Sequence, residues 1–323
     1  MTARYIFTLL TVFLLVQPLN AAIFRCKDPD GRVSYQYKAC ESKVGAVLQT
    51  SNKNASRRFF WRAVKQDKIL YLLGSIHFGK ADLYPLPDPI MQAYRKADAV
   101  VVEVDIRNAP MQSALSMAQT LTANNSQHQN PPLPPQIETT LQGFAKKAGI
   151  PFEILKGQNP WLISMLLTQK FLQQAGYRPE LGIDRHFLQL ASQDNKPVIP
   201  LETLASQQVL LRQIATLPRE LLFQQLMDQF QYNGDFQQLM EAWQTGDTDL
   251  MDRLTRKAFP DPAMEPLYQA VFARRNHNMT NKLLQLEDGK TYFVTVGAAH
   301  MVGKEGIIKL LEKHGFQISQ PSF

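Results

Sequence analysis

The chain has 323 residues, 45% of them hydrophobic and 20% charged, with a formal net charge of +7. This composition supplies the core of one large domain with a small appendage and excludes a disordered or low-complexity chain. Lysine and arginine are interspersed with acidic residues rather than gathered on one segment, so the positive balance predicts no nucleic-acid partner. It predicts only weak attraction to anionic envelope surfaces.

Arg4 and the terminal amine precede an apolar run from Tyr5 to Val16 that is too short to span a bilayer, and Pro18, Ala21 and Ala22 follow. Residues 1–21 therefore read as a cleavable secretory signal, with an uncleaved anchor as the alternative. The mature protein is expected to be soluble, in the periplasm or secreted, because polar residues interrupt every later apolar stretch before the roughly 20 residues a span needs. Cys26 and Cys40 are the only cysteines. In an oxidising compartment they are expected to pair, closing a loop whose constraint contributes roughly 3 kcal/mol. Asp28-Pro29-Asp30-Gly31 is a turn signal between two short β-like runs, which predicts a hairpin in which Cys26 faces Val33. The expected organisation is a signal at 1–21, a disulfide-tied hairpin domain at 22–49, a polar linker at 50–58 and the main domain at 59–323. Within the main domain Ser126 to Pro135 reads as a surface loop.

Four short apolar runs in the main domain end at residues able to do chemistry. Ile69–Leu73 leads through Gly74-Ser75-Ile76 to His77, and Ala99–Val102 ends at Glu103. Pro197–Leu201 ends at Glu202, and Tyr292–Val296 leads through Gly297-Ala298-Ala299 to His300. Such runs predict strands buried on both faces, as in parallel sheets. Helices are predicted between them: one opened by Asp88 as a cap and Pro89 in its first turn, one with the apolar stripe Ile183, Phe187, Leu190 and Ala191, and one from Gly306 to His314 stopped by Gly315. The alternation predicts an α/β domain with right-handed crossovers. Residues 205–285 read as a long helical insertion whose Leu210, Leu211, Ile214, Leu221, Leu222, Phe223, Leu226, Met227 and Phe230 recur at helical spacing. It would form a wall or lid, with Trp243 and Met251 as candidate lining or core residues.

Ligands of parallel sheets sit beyond the carboxyl ends of the strands, so two histidines and two glutamates are expected to meet there. Gly-x-x-His occurs twice, each time after a strand, and each glycine is expected to let the chain leave the strand sharply and approach a bound group closely.

LLGSIHFG at 72–79, VVEVD at 101–105, GID at 182–184, PVIPLET at 197–203, RN at 275–276 and VTVGAAHMVG at 294–303 resemble, in that order, the pattern of the TraB/GumN-like proteins, a group related to the Tiki metalloproteases. Ser75 stands where that pattern usually has threonine, and Arg274 where an acidic residue is common. The segment from Ile23 to Tyr35 also resembles a small domain of unknown function found after signal peptides. The main resemblance implies a divalent-metal-dependent hydrolase built around His77, Glu103 and His300, with manganese or cobalt as the metal of the Tiki branch.

Residue types agree with that implication. Two imidazoles and a carboxylate suit zinc, manganese or cobalt and leave positions for water and substrate. Glu103 is the candidate third ligand or general base, Glu202 the second carboxylate for whichever role remains, Arg275 the candidate oxyanion stabiliser with Asn276 positioning it, and Asp184 the group that orients a histidine. The expected activity is hydrolysis of a peptide or protein substrate in the cell envelope. The alternative is a non-catalytic envelope protein that uses the same pocket to sequester a peptide, a metal or another small ligand.

Overall fold

The computed structural model describes residues 24–27, 33–36, 58–107, 133–215, 217, 221–223, 226–227, 234–259 and 262–321. The signal segment, Cys40 and therefore the expected disulfide, and all but Arg58 of the linker lie outside the described residues, as does most of the 126–135 loop.

Strands β1 (Phe24–Lys27) and β2 (Val33–Gln36) form the expected antiparallel hairpin, but Cys26 lies opposite Ser34, not Val33. Lys27 pairs with Val33, so every pair is shifted by one relative to the expected register.

The main domain is built on a six-stranded sheet. Its strands are β3 (Phe60–Lys65), β4 (Lys68–Ser75), β5 (Ala99–Val104), β6 (Val198–Glu202), β7 (Thr291–Gly297) and β8 (Gln317–Ser319), in the spatial order β6-β5-β7-β4-β3-β8. The four predicted strands β4, β5, β6 and β7 run parallel, so all four chemistry-bearing ends fall on one edge. β3 and β8 add an antiparallel margin. β4, β5 and β7 are buried on both faces as expected, whereas β6 is the outer strand: Val198 and Ile199 are half-buried and Pro200 is exposed. A proline with no N–H to donate is tolerated at such an edge.

The helices are α1 (Asp88–Lys96), α2 (Pro135–Ala148), α3 (Phe152–Leu155), α4 (Pro160–Gln174), α5 (Ile183–Gln193), α6 (Leu204–Ala215), α7 (Gly234–Thr245), α8 (Thr248–Lys257), α9 (Glu265–Tyr268), α10 (Arg274–Leu284), α11 (Ala298–Met301) and α12 (Ile307–Lys313). Asp88 is the first helical residue rather than the cap of α1. Pro87 occupies the cap, and the Asp88 carboxylate accepts from Gln92 and Arg95 within the helix instead. The stripe of α5 is fully buried as predicted, and Tyr94, Phe187 and Phe293 stack into one aromatic cluster that fixes α1 and α5 against β7. Gly315, at φ +84°, stops α12.

Helices α6 to α10 form the predicted insertion between β6 and β7. Leu210, Leu211, Ile214, Phe223, Leu226 and Met227 are buried in two satellite cores, Leu222 is also buried, Leu221 is half-buried, and Phe230 lies outside the described residues. Among the described residues no helix is long and apolar enough to cross a membrane.

Candidate functional site

His77, Glu103 and His300 line one cavity at the carboxyl edge of the parallel strands, together with Arg275 from α10. Glu202 joins them through Arg275. The guanidinium donates to Glu103 Oε1 (2.5 Å), to Glu202 Oε2 (2.7 Å) and, through Nε, to Glu202 Oε1 (2.8 Å). It also donates to the carbonyl of Val271. That carbonyl belongs to the π-helical turn Gln269–Ala273 between α9 and α10, a local widening of the helix often found at functional sites. Gln207, in α6 just past the end of β6, reaches both carboxylates at 3.3 and 3.5 Å. Glu103 Oε2 accepts from the Gly297 N–H at 3.2 Å.

Each histidine is held by a partner on Nδ1. His77 Nδ1 donates to Asp184 Oδ2 at 2.7 Å. Asp184 comes that close because the α5 entry lies against the His77 loop: Ile183 N–H bonds the Ile76 carbonyl, and a Cβ on Gly182 would sit 2.4 Å from the His77 carbonyl oxygen. Only glycine allows that approach. His300 Nδ1 lies 2.5 Å from Asn276 Oδ1, and Asn276 Nδ2 donates to the Glu305 carbonyl at 2.7 Å. That second bond orients the amide, so Oδ1 faces His300 as an acceptor and Nδ1 carries the proton. Nε2 is thus the ring nitrogen left for a ligand in both residues.

The electrostatics separate the two imidazoles. Burial, with help from Arg275, pushes His300 down to about 3, so it is neutral. Burial opposes charge on His77 too, but Asp184 and then Glu103 outweigh it and raise His77 to about 9. Burial disfavours charge on Glu103, yet Arg275, His300, His77 and the Gly297 N–H together lower it to about 2. Arg275, despite its own burial, is held charged by Glu103 and Glu202.

Residues 59–320 match the TraB/PrgY/gumN family. The chain belongs to that family. Residues 10–58 match Domain of unknown function (DUF4124), which precedes it. Two curated relatives, each named Uncharacterized protein YbaP, from Escherichia coli (strain K12) and Shigella flexneri, are each 30% identical over 242 residues, covering 75% of this chain and 87% of theirs.

In this TraB/PrgY/gumN chain the donors suit a divalent ion at two positions and not, as arranged, at a third. Neutral His300 offers its Nε2 lone pair, whereas His77, protonated near neutral pH, must give up its Nε2 proton to an entering ion. Glu103 instead gives Oε1 to Arg275 and Oε2 to Gly297, and among the described residues no three His, Cys, Asp or Glu side chains are placed to share one ion. An ion here would be held by the two imidazoles, and Glu103 would join only after Arg275 releases it.

Sequence reading missed Gln207, although its place in the first turns after a strand-end carboxylate points it back at the sheet edge. Ser75 was named only as a departure from the family pattern, whereas its hydroxyl is buried on the cavity wall without a hydrogen-bond partner. Met251 lines the cavity, whereas Trp243 is a tether: its Nε1 donates to the Gly74 carbonyl at 2.6 Å and ties α7 to the end of β4.

The two motif glycines do different jobs, and neither lies at positive φ. A Cβ on Gly74 would lie 2.4 Å from the buried Phe59 ring and 3.1 Å from Ala298 Cα, whereas one on Gly297 would make an ordinary 3.4 Å contact with Glu103 Oε2 and His300 Cδ2. Gly74→Ala is therefore expected to lower stability by roughly 1–3 kcal/mol through overpacking. Gly297→Ala should leave the melting midpoint nearly unchanged and act on the site instead. Thermal unfolding of both variants checks this contrast.

Proposed function

We propose that this chain is an exported, divalent-metal-dependent hydrolase of peptide or protein substrates in the cell envelope. The observation that carries the reading is the convergence on one cavity of two imidazoles, each with Nδ1 fixed by a partner, beside a buried carboxylate–guanidinium–carboxylate cluster. Manganese, cobalt or zinc bound at His77 and His300 would supply an activated water and polarise the scissile carbonyl.

The chain's own groups do the rest. Asp184 and Asn276 orient the imidazoles. Arg275 holds a fixed positive charge beside the cavity, where a negative charge developing on a carbonyl oxygen is stabilised. Glu103, an acceptor held ionised by that guanidinium, takes a proton from the attacking water once substrate draws Arg275 away. Glu202 keeps Arg275 in reach throughout. The same clamp is what favours the alternative of a non-catalytic binding protein, because in this arrangement Arg275 satisfies both carboxylates.

Chelation of the purified mature protein is expected to abolish hydrolysis of a peptide library, and addition of manganese, cobalt or zinc to restore it. Ligand binding with no turnover under any of the three ions would select the binding protein. We further propose that export removes residues 1–21 and that Cys26 and Cys40 pair. Intact-mass analysis should then show a chain beginning near Ala22 with no thiol open to alkylation before reduction, and an intact N-terminus or two alkylated cysteines would refute it.

A further inference from the structure

Two donors at the site share one pair of acceptors. Arg275 Nη2 donates to Glu103 Oε1 at 2.5 Å and to Glu202 Oε2 at 2.7 Å, and Gln207 Nε2 lies 3.3 and 3.5 Å from the same two oxygens. Carboxylate oxygens only accept, so the amide turns its NH2 group toward them. Because a single nitrogen reaches both oxygens, they are no more than about 5 Å apart, close enough for two carboxylates to repel strongly where water is scarce. Gln207 itself is buried.

Local structure fixes the amide in this place. Thr203, directly after the end of β6, and Ser206 cap the start of α6 reciprocally: the Ser206 N–H donates to Thr203 Oγ1 at 3.1 Å, and the Thr203 N–H to Ser206 Oγ at 3.2 Å. The Gln207 N–H then donates to the Thr203 carbonyl at 3.3 Å and closes the first turn. Arg275 has holds of its own besides the shared one, through Nε on Glu202 Oε1 at 2.8 Å and through Nη1 on the Val271 carbonyl at 3.1 Å. Its Nη2 can therefore turn away from Glu103 without the residue leaving the site.

We infer, resting on the hydrolase reading above, that Gln207 is a positioning residue whose amide takes over the two shared carboxylate oxygens when substrate draws Arg275 Nη2 away, and so keeps Glu103 in place for proton transfer. Without such a stand-in, release of Nη2 would leave two like charges facing each other in the interior, and that cost would add to the barrier. The amide contacts are at the long end of the hydrogen-bond range, so they contribute little in the closed clamp and can shorten as the guanidinium withdraws. The Gly297 N–H keeps Glu103 Oε2 anchored throughout. An amide replaces the hydrogen bonds without a charge of its own, and the positive charge of Arg275 becomes free to face a substrate oxygen.

The test uses Gln207→Met, which keeps the length of the side chain and removes the donor, in the full mature chain. With manganese, cobalt or zinc added and the most rapidly cleaved peptide of the library as substrate, kcat is expected to fall about tenfold or more while KM changes by less than about threefold, because the clamp opens on the way to the transition state. The bound divalent ion should be unchanged. A double-mutant cycle with Arg275→Ala tests the exchange of donors without turnover. Arg275 already covers both oxygens in the wild type, so Gln207→Met should move the denaturant midpoint little there; in the Arg275→Ala background Gln207 is left as the bridging donor, and the same change should move it at least about twice as far. A kcat within about twofold of wild type, a loss confined to KM, or equal midpoint shifts in the two backgrounds overturns the inference. If Arg275→Ala does not fold, kcat and KM of the single variant decide. No hydrolysis by the wild type under any of the three ions, together with unequal midpoint shifts, would instead overturn the hydrolase reading and leave the exchange of donors standing.

Discussion

His77→Ala and His300→Ala are each expected to reduce hydrolysis by about 10³-fold or more and to remove most of the bound divalent ion, and the double variant should be no less active than either single one. Loss of one imidazole already disables the site, so the second loss has nothing left to remove. The two variants should differ in stability. His77 has 39% of its side chain exposed, and the Asp184 it leaves behind is within reach of water. His300 is 5% exposed, and its removal strands the Asn276 amide oxygen in the interior, at roughly 1–3 kcal/mol. Metal content, turnover and melting midpoint measured on the three variants test the pattern. Unchanged metal content with a lowered midpoint at both positions would make these histidines structural and end the metallohydrolase reading.

Arg275→Ala is expected to be the most destabilising single change in the site, costing roughly 3–5 kcal/mol near neutral pH, because it leaves two buried carboxylates without their counter-charge. The side chains of Arg275, Glu103 and Glu202 are only 9–11% exposed, so water does not replace what is lost. The pH dependence has a definite sign. Burial raises the Glu103 pKa, but Arg275 first, then His300, His77 and the Gly297 N–H, carry it below its ordinary 4.5 to about 2. That depression stabilises the wild type above about pH 4.5 and is lost as pH falls toward 2. Without Arg275 the effect of burial prevails, Glu103 binds a proton on mild acidification, and the penalty of the variant should shrink between pH 7 and pH 5. Glu103→Gln in the Arg275→Ala background should recover part of the loss at pH 7. Denaturant unfolding of the wild type and both variants across that range measures it, and a penalty that grows on acidification would contradict the clamp.

The four parallel strands were legible because their signal is local. Runs such as Ala99–Val102 and Tyr292–Val296 are short, branched and apolar enough to be buried on both faces, as strands of a covered parallel sheet are. β3 and β8 were not legible. Phe59 to Lys65 mixes aromatic and charged residues, and Gln317–Ser319 is a three-residue margin strand whose identity depends on β3 being beside it. Cys26 was placed one residue out of register because a hairpin's pairing follows its loop length, which turn residues alone do not specify.

At the site, sequence by itself determined which residues arrive at the sheet edge: His77, Glu103, Glu202 and His300 each follow a parallel strand, and parallel strands deliver their carboxyl ends to one side. Asp184 was also named as the group that orients a histidine, whereas Asn276 was assigned with Arg275 to the oxyanion and holds His300 instead. What only the tertiary structure decided is how these groups are paired. That Arg275 clamps Glu103 to Glu202, that Gln207 bridges them, that Asn276 holds His300 while Asp184 holds His77, and that Ser75 is left without a partner are all contacts between elements far apart in the chain. Hydrogen bonds and ion pairs act over about 3 Å. Periodicity and spacing place a residue on an element and a face, but only the packing of helices on the sheet settles distances of that size.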